Sequence, residues 1–225
     1  TKLKGPSKRF LNHLSFTTMS IPLTMMTVSL FGYKSIILDL LYVFVGAFII
    51  SIILNKIFKE KLIGVGILGF ITSLFLLLDT YFIKKLMIIS PLGSDAIAGG
   101  RFYGIGNDYM GILIGSTLLW IFSLFQFSKI NKYKMTIFFV LCMSLIIVGL
   151  SPFFGANMGG TLSAILITLL SILIILDKKI SFKKLAILVV GVIIIILIIA
   201  GLDTLFNPSP THAGKALTSL TTGGW

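Results

Sequence analysis

The chain is poor in cysteine, histidine, arginine and charge of any kind, and each shortage excludes something. Its 225 residues include one cysteine, Cys142, inside an apolar run. An intrachain disulfide is therefore impossible, and no cysteine-based metal framework exists. The two histidines, His13 and His212, stand far apart, and no His/Cys/Asp cluster has metal-ligand spacing. No serine lies in a nucleophile elbow. Neither a metal nor a cofactor is expected. Charged residues make up 12% of the chain, against about 25% in a soluble domain. What dominates instead is hydrophobic residues, at 56%.

That composition predicts an all-α, polytopic transmembrane helical bundle, because the apolar segments are long enough to span a bilayer core of about 30 Å. Hydropathy predicts about seven spans, over 10–31, 36–54, 62–82, 109–127, 135–150, 161–176 and 185–202. The first is the most polar, with Ser15, Thr17, Thr18, Ser20, Thr24 and Thr27, and Pro22 in its middle. Hydroxyls can bond back to their own helix, and proline is tolerated where neighbours satisfy the backbone. A surface-lying amphipathic helix is the alternative. The last span is almost purely aliphatic and reads as lipid-facing scaffold. The whole of 1–225 reads as a single helical domain. Thr1 and the terminal Gly-Gly-Trp225 lead us to expect a piece of a longer chain, and no cleavable signal follows the basic Thr1–Arg9 stretch.

Charge orders the spans. With the N-terminus in the cytoplasm, segments 1–9, 55–61, 128–134 and 177–184 lie inside and hold 14 of the 19 lysines and arginines. Outside remain Lys34, Lys84, Lys85, Arg101 and Lys215, together with five of the seven acids: Asp39, Asp79, Asp95, Asp108 and Asp203. The C-terminus is then outside. The net charge of +12 is a topology signal. It does not point to nucleic acid, because the lysines form short loops and no contiguous stripe.

This topology puts the unusual polar residues on one face. The stretch Gly99-Gly-Arg-Phe-Tyr-Gly-Ile-Gly-Asn-Asp-Tyr-Met-Gly111 joins two apolar segments. Arg101 is one of only two arginines beside 17 lysines. Its planar fork suits a phosphate or carboxylate better than an ammonium does. It either binds a ligand or pairs with Asp95 or Asp108. Six of the seventeen residues from Gly99 to Gly115 are glycine, which lets backbone approach a ligand closely. The helix beginning here points its N-terminus outward, where free amides favour an anion. Asn107 or Asp108 as N-cap is the structural alternative. Gly104-Ile-Gly106 is no dinucleotide fingerprint, since no strand precedes it and the spacing to Gly111 is wrong.

A second outer turn, Gly155-Ala-Asn-Met-Gly-Gly160, enters the next helix. Gly111/Gly115 and Gly155/Gly159 have the small-xxx-small spacing of close helix contacts, so the helices beginning near Tyr109 and Thr161 are expected to pack through Gly111, Gly115 and Gly159. That packing leaves Asn157 unexplained; it could reach Arg101 or a ligand. The expected substrate-binding set is Arg101, Tyr103, Asn107 and Asn157. Asp108 and His212 are the candidate acid/base residues, although a lone loop histidine is commonly inert.

From Arg101 to about Leu220 the chain resembles the O-antigen ligase and polymerase superfamily of membrane glycosyltransferases. Arg101, Gly104 and Asn107 match its arginine, glycine and helix-opening asparagine. A cytoplasmic loop, a helix and the small-residue turn at Gly155–Ala164 then follow in the family's order, and a long outer loop would begin at Asp203. The family often has Ser-Arg-Gly at the second turn, where this chain has Gly155-Ala-Asn157-Met-Gly159, so one phosphate-binding arginine is absent. The family's catalytic histidine region would lie beyond Trp225. The Pro-Leu-Gly…Gly-Arg-Phe-Tyr-Gly-Ile-Gly-Asn string also looks like that of uncharacterised bacterial multipass membrane proteins.

The resemblance implies a glycan on a polyprenyl pyrophosphate, transferred without a metal on the outer face of a bacterial cytoplasmic membrane. Arg101 would hold the pyrophosphate, Tyr103 and Asn107 would shape the pocket, and Asn157 would support it. Two other classes remain open. A transporter or flippase would use Asp79 and Asp108 as ion- or proton-linked residues, and it wants helix breaks and an inverted repeat; no repeat is visible. A noncatalytic anchor wants a folded domain before Thr1 or after Trp225.

Overall fold

Backbone amides and carbonyls in hydrocarbon must be satisfied within the segment, which leaves the helix as the form an apolar span can take. The computed structural model bears this out. It describes residues 5–31, 35–93, 104–178, 181–206 and 212–222, without the side chains of 183–185, 188, 212, 213, 221 and 222. Every described element is helical: α1 (Pro6–Val28), α2 (Ile36–Ile57), α3 (Lys61–Leu78) running into a π turn (Asp79–Ile83), α4 (Leu86–Ile89), α5 (Asn107–Phe127), α6 (Lys132–Leu150), α7 (Met158–Ile175), α8 (Phe182–Phe206) and α9 (His212–Thr222). The chain is an all-α multi-pass membrane protein. Among the described residues, six helices are long and apolar enough to cross a bilayer: α2, α3 with its π turn, α5, α6, α7 and α8.

The seventh expected span is α1, which lies against α2. His13 meets Ser51 at 3.1 Å near one end of the pair, and Tyr42 donates to Thr27 at 3.4 Å near the other. The two helices are therefore antiparallel along their length, although α1 is not among the six helices long and apolar enough to cross a bilayer. Its hydroxyls turn inward on the helix, as expected. Ser15 donates to the Leu11 carbonyl at 2.8 Å, Thr18 to Leu14 at 2.9 Å and Ser20 to Phe16 at 2.7 Å.

The chain divides into two compact units, Thr1–Lys129 and Ile130–Trp225. In the first, Phe16, Leu54 and Leu68 form a buried cluster joining α1, α2 and α3. The tightest helix contact lies between α3 and α5. A Cβ added at Gly69 would come within 2.7 Å of the Ser116 carbonyl oxygen, and one at Gly66 within 2.5 Å of Ser123 Oγ. Ser123 closes this seam by donating to the Leu62 carbonyl at 2.6 Å.

The expected packing of α5 on α7 through Gly111, Gly115 and Gly159 would join the two units. Within its own unit, a Cβ on Gly111 or Gly115 meets no described atom within 4 Å, and one on Gly159 meets only Asn157 Oδ1 at 3.8 Å. Gly115 lines a hollow of about 210 Å³ between α1, α3 and α5. The glycines that admit a neighbouring helix most closely in this unit are those of α3, with Gly46 of α2 set against Thr24 of α1.

In the second unit, α6 buries Phe139, Met143, Ile146 and Leu150, spaced four, three and four residues apart along one stripe. The buried face of α7 is mostly small and hydroxylated: Gly160, Thr161, Ala164, Thr168 and Ser171, with Ile165 and Ile175. Such faces permit close packing in lipid. Lys132 and Asp177, both exposed, form an ion pair between the N-terminus of α6 and the end of α7. Much of α8 is exposed, including Ile193, Ile194, Leu197 and Ile198, which fits a lipid-facing scaffold. The helix α9 stands where the sequence led us to expect an outer loop.

Candidate functional site

The first unit has two chemically different ends. Lys8, Arg9, Lys56, Lys59, Lys61 and Lys129 flank the helices at one end. At the other, α3 breaks into its π turn around a buried carboxylate. Asp79 is 1% exposed. Its Oδ1 accepts from the backbone amides of Lys85 at 3.2 Å and Leu86 at 3.0 Å, and its Oδ2 accepts from Met87 at 2.8 Å. One carboxylate thus satisfies the amides opening α4, the groups a helix start leaves unpaired. Lys84 makes the bend possible with φ of 56°, in the left-handed region, while its amide donates to the Asp79 carbonyl at 2.6 Å.

A second link joins α4 to α5. The Tyr109 hydroxyl donates to Ser90 Oγ at 2.7 Å, and Ser90 donates to the Met87 carbonyl at 2.9 Å. Tyr109 and Ser90 are both buried. The path from Asp79 through α4 and Ser90 to Tyr109 fixes the first turn of α5. Sequence reasoning missed Ser90 and Tyr109. The available signal was a carboxylate at the end of an apolar run followed by two lysines and a short apolar segment.

Gly106, not Asn107 or Asp108, occupies the N-cap of α5, and no described side chain caps this terminus. Asn107 is the first helical residue, and it and Asp108 are exposed. An acid in a first helical turn is favoured by the helix dipole. Gly104 supplies the turn before it with φ of 81°.

Ser90 also lines a cleft of about 430 Å³ between α1, α2 and the end of α4. Its polar lining is Ser29, the half-buried Asp39 and Ser90; Met25, Leu40 and Ile89 contribute apolar wall. Ser90 belongs both to the cleft and to the hydrogen bond from Tyr109, so one residue of the cleft wall is tied to the first turn of α5.

In the second unit, Asn157 is the N-cap of α7. Its Oδ1 accepts from the Gly160 amide at 2.7 Å, and the side chain is 1% exposed. Helix capping supplies the role that glycine packing left unexplained. The turn before it is tight, with Ala156 at φ of 48° and its amide donating to the Ser151 carbonyl at 2.9 Å. Asp203, near the end of α8, is fully buried. His212 opens α9, but its side chain lies outside the described residues, as do Arg101 and Tyr103 entirely. Among the described residues no three His, Cys, Asp or Glu side chains are grouped to hold a metal ion. No protein family, curated protein or solved structure matches this chain.

Proposed function

We propose that the protein handles a glycan carried on a polyprenyl phosphate or pyrophosphate at the outer face of a bacterial cytoplasmic membrane, in the manner of a ligase- or polymerase-like glycosyltransferase. The observation that carries this reading is the convergence at one end of the first unit. The first turn of α5 is tied through Tyr109 to Ser90, which lines a cleft that is polar at Ser29, Asp39 and Ser90 and apolar elsewhere. A helix N-terminus favours a phosphate. Carboxylate and hydroxyl groups suit sugar hydroxyls, and the apolar wall suits an isoprenoid. Arg101, six residues before the start of α5 in the chain, supplies the bidentate positive group. Asp39 or Asp108 would take the proton from an acceptor hydroxyl as its oxygen attacks the anomeric carbon and the lipid pyrophosphate departs.

The test is binding of a polyprenyl pyrophosphate to the purified protein in nanodiscs, with the uncharged polyprenol as control. Wild type binds the pyrophosphate, Arg101→Lys binds it more weakly because the fork is lost, and Arg101→Ala loses it. Equal binding by all three overturns the proposal.

The transporter reading draws on the break in α3 at a buried acid, a feature of solute and ion pathways. The three amides held by Asp79 give that acid a capping role instead. Solute flux in proteoliposomes that Asp79→Asn abolishes would favour transport.

A further inference from the structure

One side of the α3·α5 seam carries a groove on which the proposed glycan site makes no claim. It has a volume of about 370 Å³ and lies at the lysine-rich end, between residues 63–70 of α3 and 120–127 of α5. Its floor is Gly66 and Ser123, and its walls include Ile63, Ile67, Phe70, Trp120 and Leu124. The floor is low because Gly66 has no side chain and Ser123 is turned into the seam, donating to the Leu62 carbonyl. Trp120 stands edge-on to Phe70, with ring centroids 5.3 Å apart, and closes the deep end. Both helices are apolar enough to cross a bilayer. Eight residues of helix cover about 12 Å, a little under half of a hydrocarbon core of about 30 Å. The groove therefore spans most of one leaflet.

Charge identifies what enters it. The groove opens at Ile63 and Phe127, and Lys59 and Lys129 flank those two positions in the chain, both exposed. Lys61 is occupied, donating to the carbonyls of Asn55 and Phe58 at 2.8 Å each and so closing the C-terminus of α2. Among the described residues of the first unit, Glu60 is the one acid near this mouth in the chain, against Lys56, Lys59 and Lys129. Exposed lysines next in the chain to the mouth of an apolar slot that spans most of one leaflet match an anionic phospholipid, acyl chain in the slot and phosphate at the lysines.

We propose that this groove is a binding site for an anionic phospholipid of the cytoplasmic leaflet. One acyl chain lies over Gly66 against Trp120, and the headgroup engages Lys59 and Lys129.

Tryptophan quenching tests it directly. The chain has two tryptophans, so Trp225→Phe leaves Trp120 as the sole reporter. The protein is placed in phosphatidylcholine vesicles with a low fraction of phosphatidylglycerol brominated at mid-chain. The reverse mixture holds the same fraction of brominated phosphatidylcholine in phosphatidylglycerol. The brominated anionic lipid should quench Trp120 with an apparent affinity on the order of fivefold or more above the zwitterionic one. Lys59→Gln with Lys129→Gln should remove that preference and leave the folded protein intact, since both side chains are exposed. Ile67→Phe, which fills the slot from its wall, should lower quenching by both lipids. Equal quenching by the two lipids in wild type overturns the proposal. So does absence of quenching by either, which would mean that protein covers the groove.

Discussion

Tyr109 donates its hydroxyl to Ser90 Oγ at 2.7 Å, and this bond ties the first turn of α5 to the short helix α4. Both side chains are buried, so the two halves of the bond are unequal under mutation. Tyr109→Phe leaves Ser90 still donating to the Met87 carbonyl and should cost about 1 kcal/mol. Ser90→Ala strands the phenol and should cost more, about 1–3 kcal/mol. Unfolding in mixed micelles gives the order. A larger loss from Tyr109→Phe would contradict this arrangement.

Asp79 makes three backbone hydrogen bonds with one carboxylate. Asp79→Asn keeps an acceptor but turns an amide donor toward another N–H. Bonds to a charged group are each worth about 1.5–3 kcal/mol, so a loss in that range is expected for Asp79→Asn and a greater one for Asp79→Ala. Both variants should loosen the segment that leads into α4, which hydrogen exchange at Lys85, Leu86 and Met87 reads out. Unchanged protection of those amides in Asp79→Ala would contradict the capping role.

The glycines of α3 and α5 should respond in opposite ways. Gly69→Ala drives a methyl against the Ser116 carbonyl, a backbone atom that cannot swing aside, and overpacking of this kind costs about 1–3 kcal/mol. Gly111→Ala meets open space and replaces a poor helix former with the best one, so it should be neutral or stabilising by up to about 1 kcal/mol. Thermal unfolding in detergent separates the two. Equal destabilisation would mean that Gly111 is also packed.

Ala156 holds φ of 48° without being glycine. Left-handed backbone costs an L-residue roughly 1 kcal/mol, so Ala156→Gly should raise stability slightly and Ala156→Val should lower it. The same unfolding measurement checks both.

The apolar spans were legible because hydropathy is a long-window signal that lipid enforces. The helix ends were less so. Hydropathy stopped α2 at residue 54 and began α6 at 135, whereas the helices run on to Ile57 and back to Lys132. Lysines at the interface end an apolar run without ending the hydrogen-bond ladder. Residue preference at a helix start pointed to Asn107 or Asp108 as a cap, whereas the structure caps α5 with Gly106 and α7 with Asn157. The seam at Gly66 and Gly69 was not legible, because small-residue spacing marks several helices and only the fold says which two meet. The Ser90–Tyr109 bond joins residues whose proximity depends on the Asp79 turn, so no local pattern announces it. Arg101 and Tyr103, the residues the sequence singled out most sharply, lie outside the described segments.

Everything proposed for the site rests on which end of the first unit faces out. The direct measurement is labelling of single cysteines from outside intact cells, in a Cys142→Ala background. The lysine distribution predicts that Ser94→Cys and Thr211→Cys are modified and that Ser128→Cys and Ser181→Cys are protected until the membrane is opened. Labelling of Ser128→Cys from outside would invert the chain. It would place the cleft at Ser29, Asp39 and Ser90 in the cytoplasm and contradict the account.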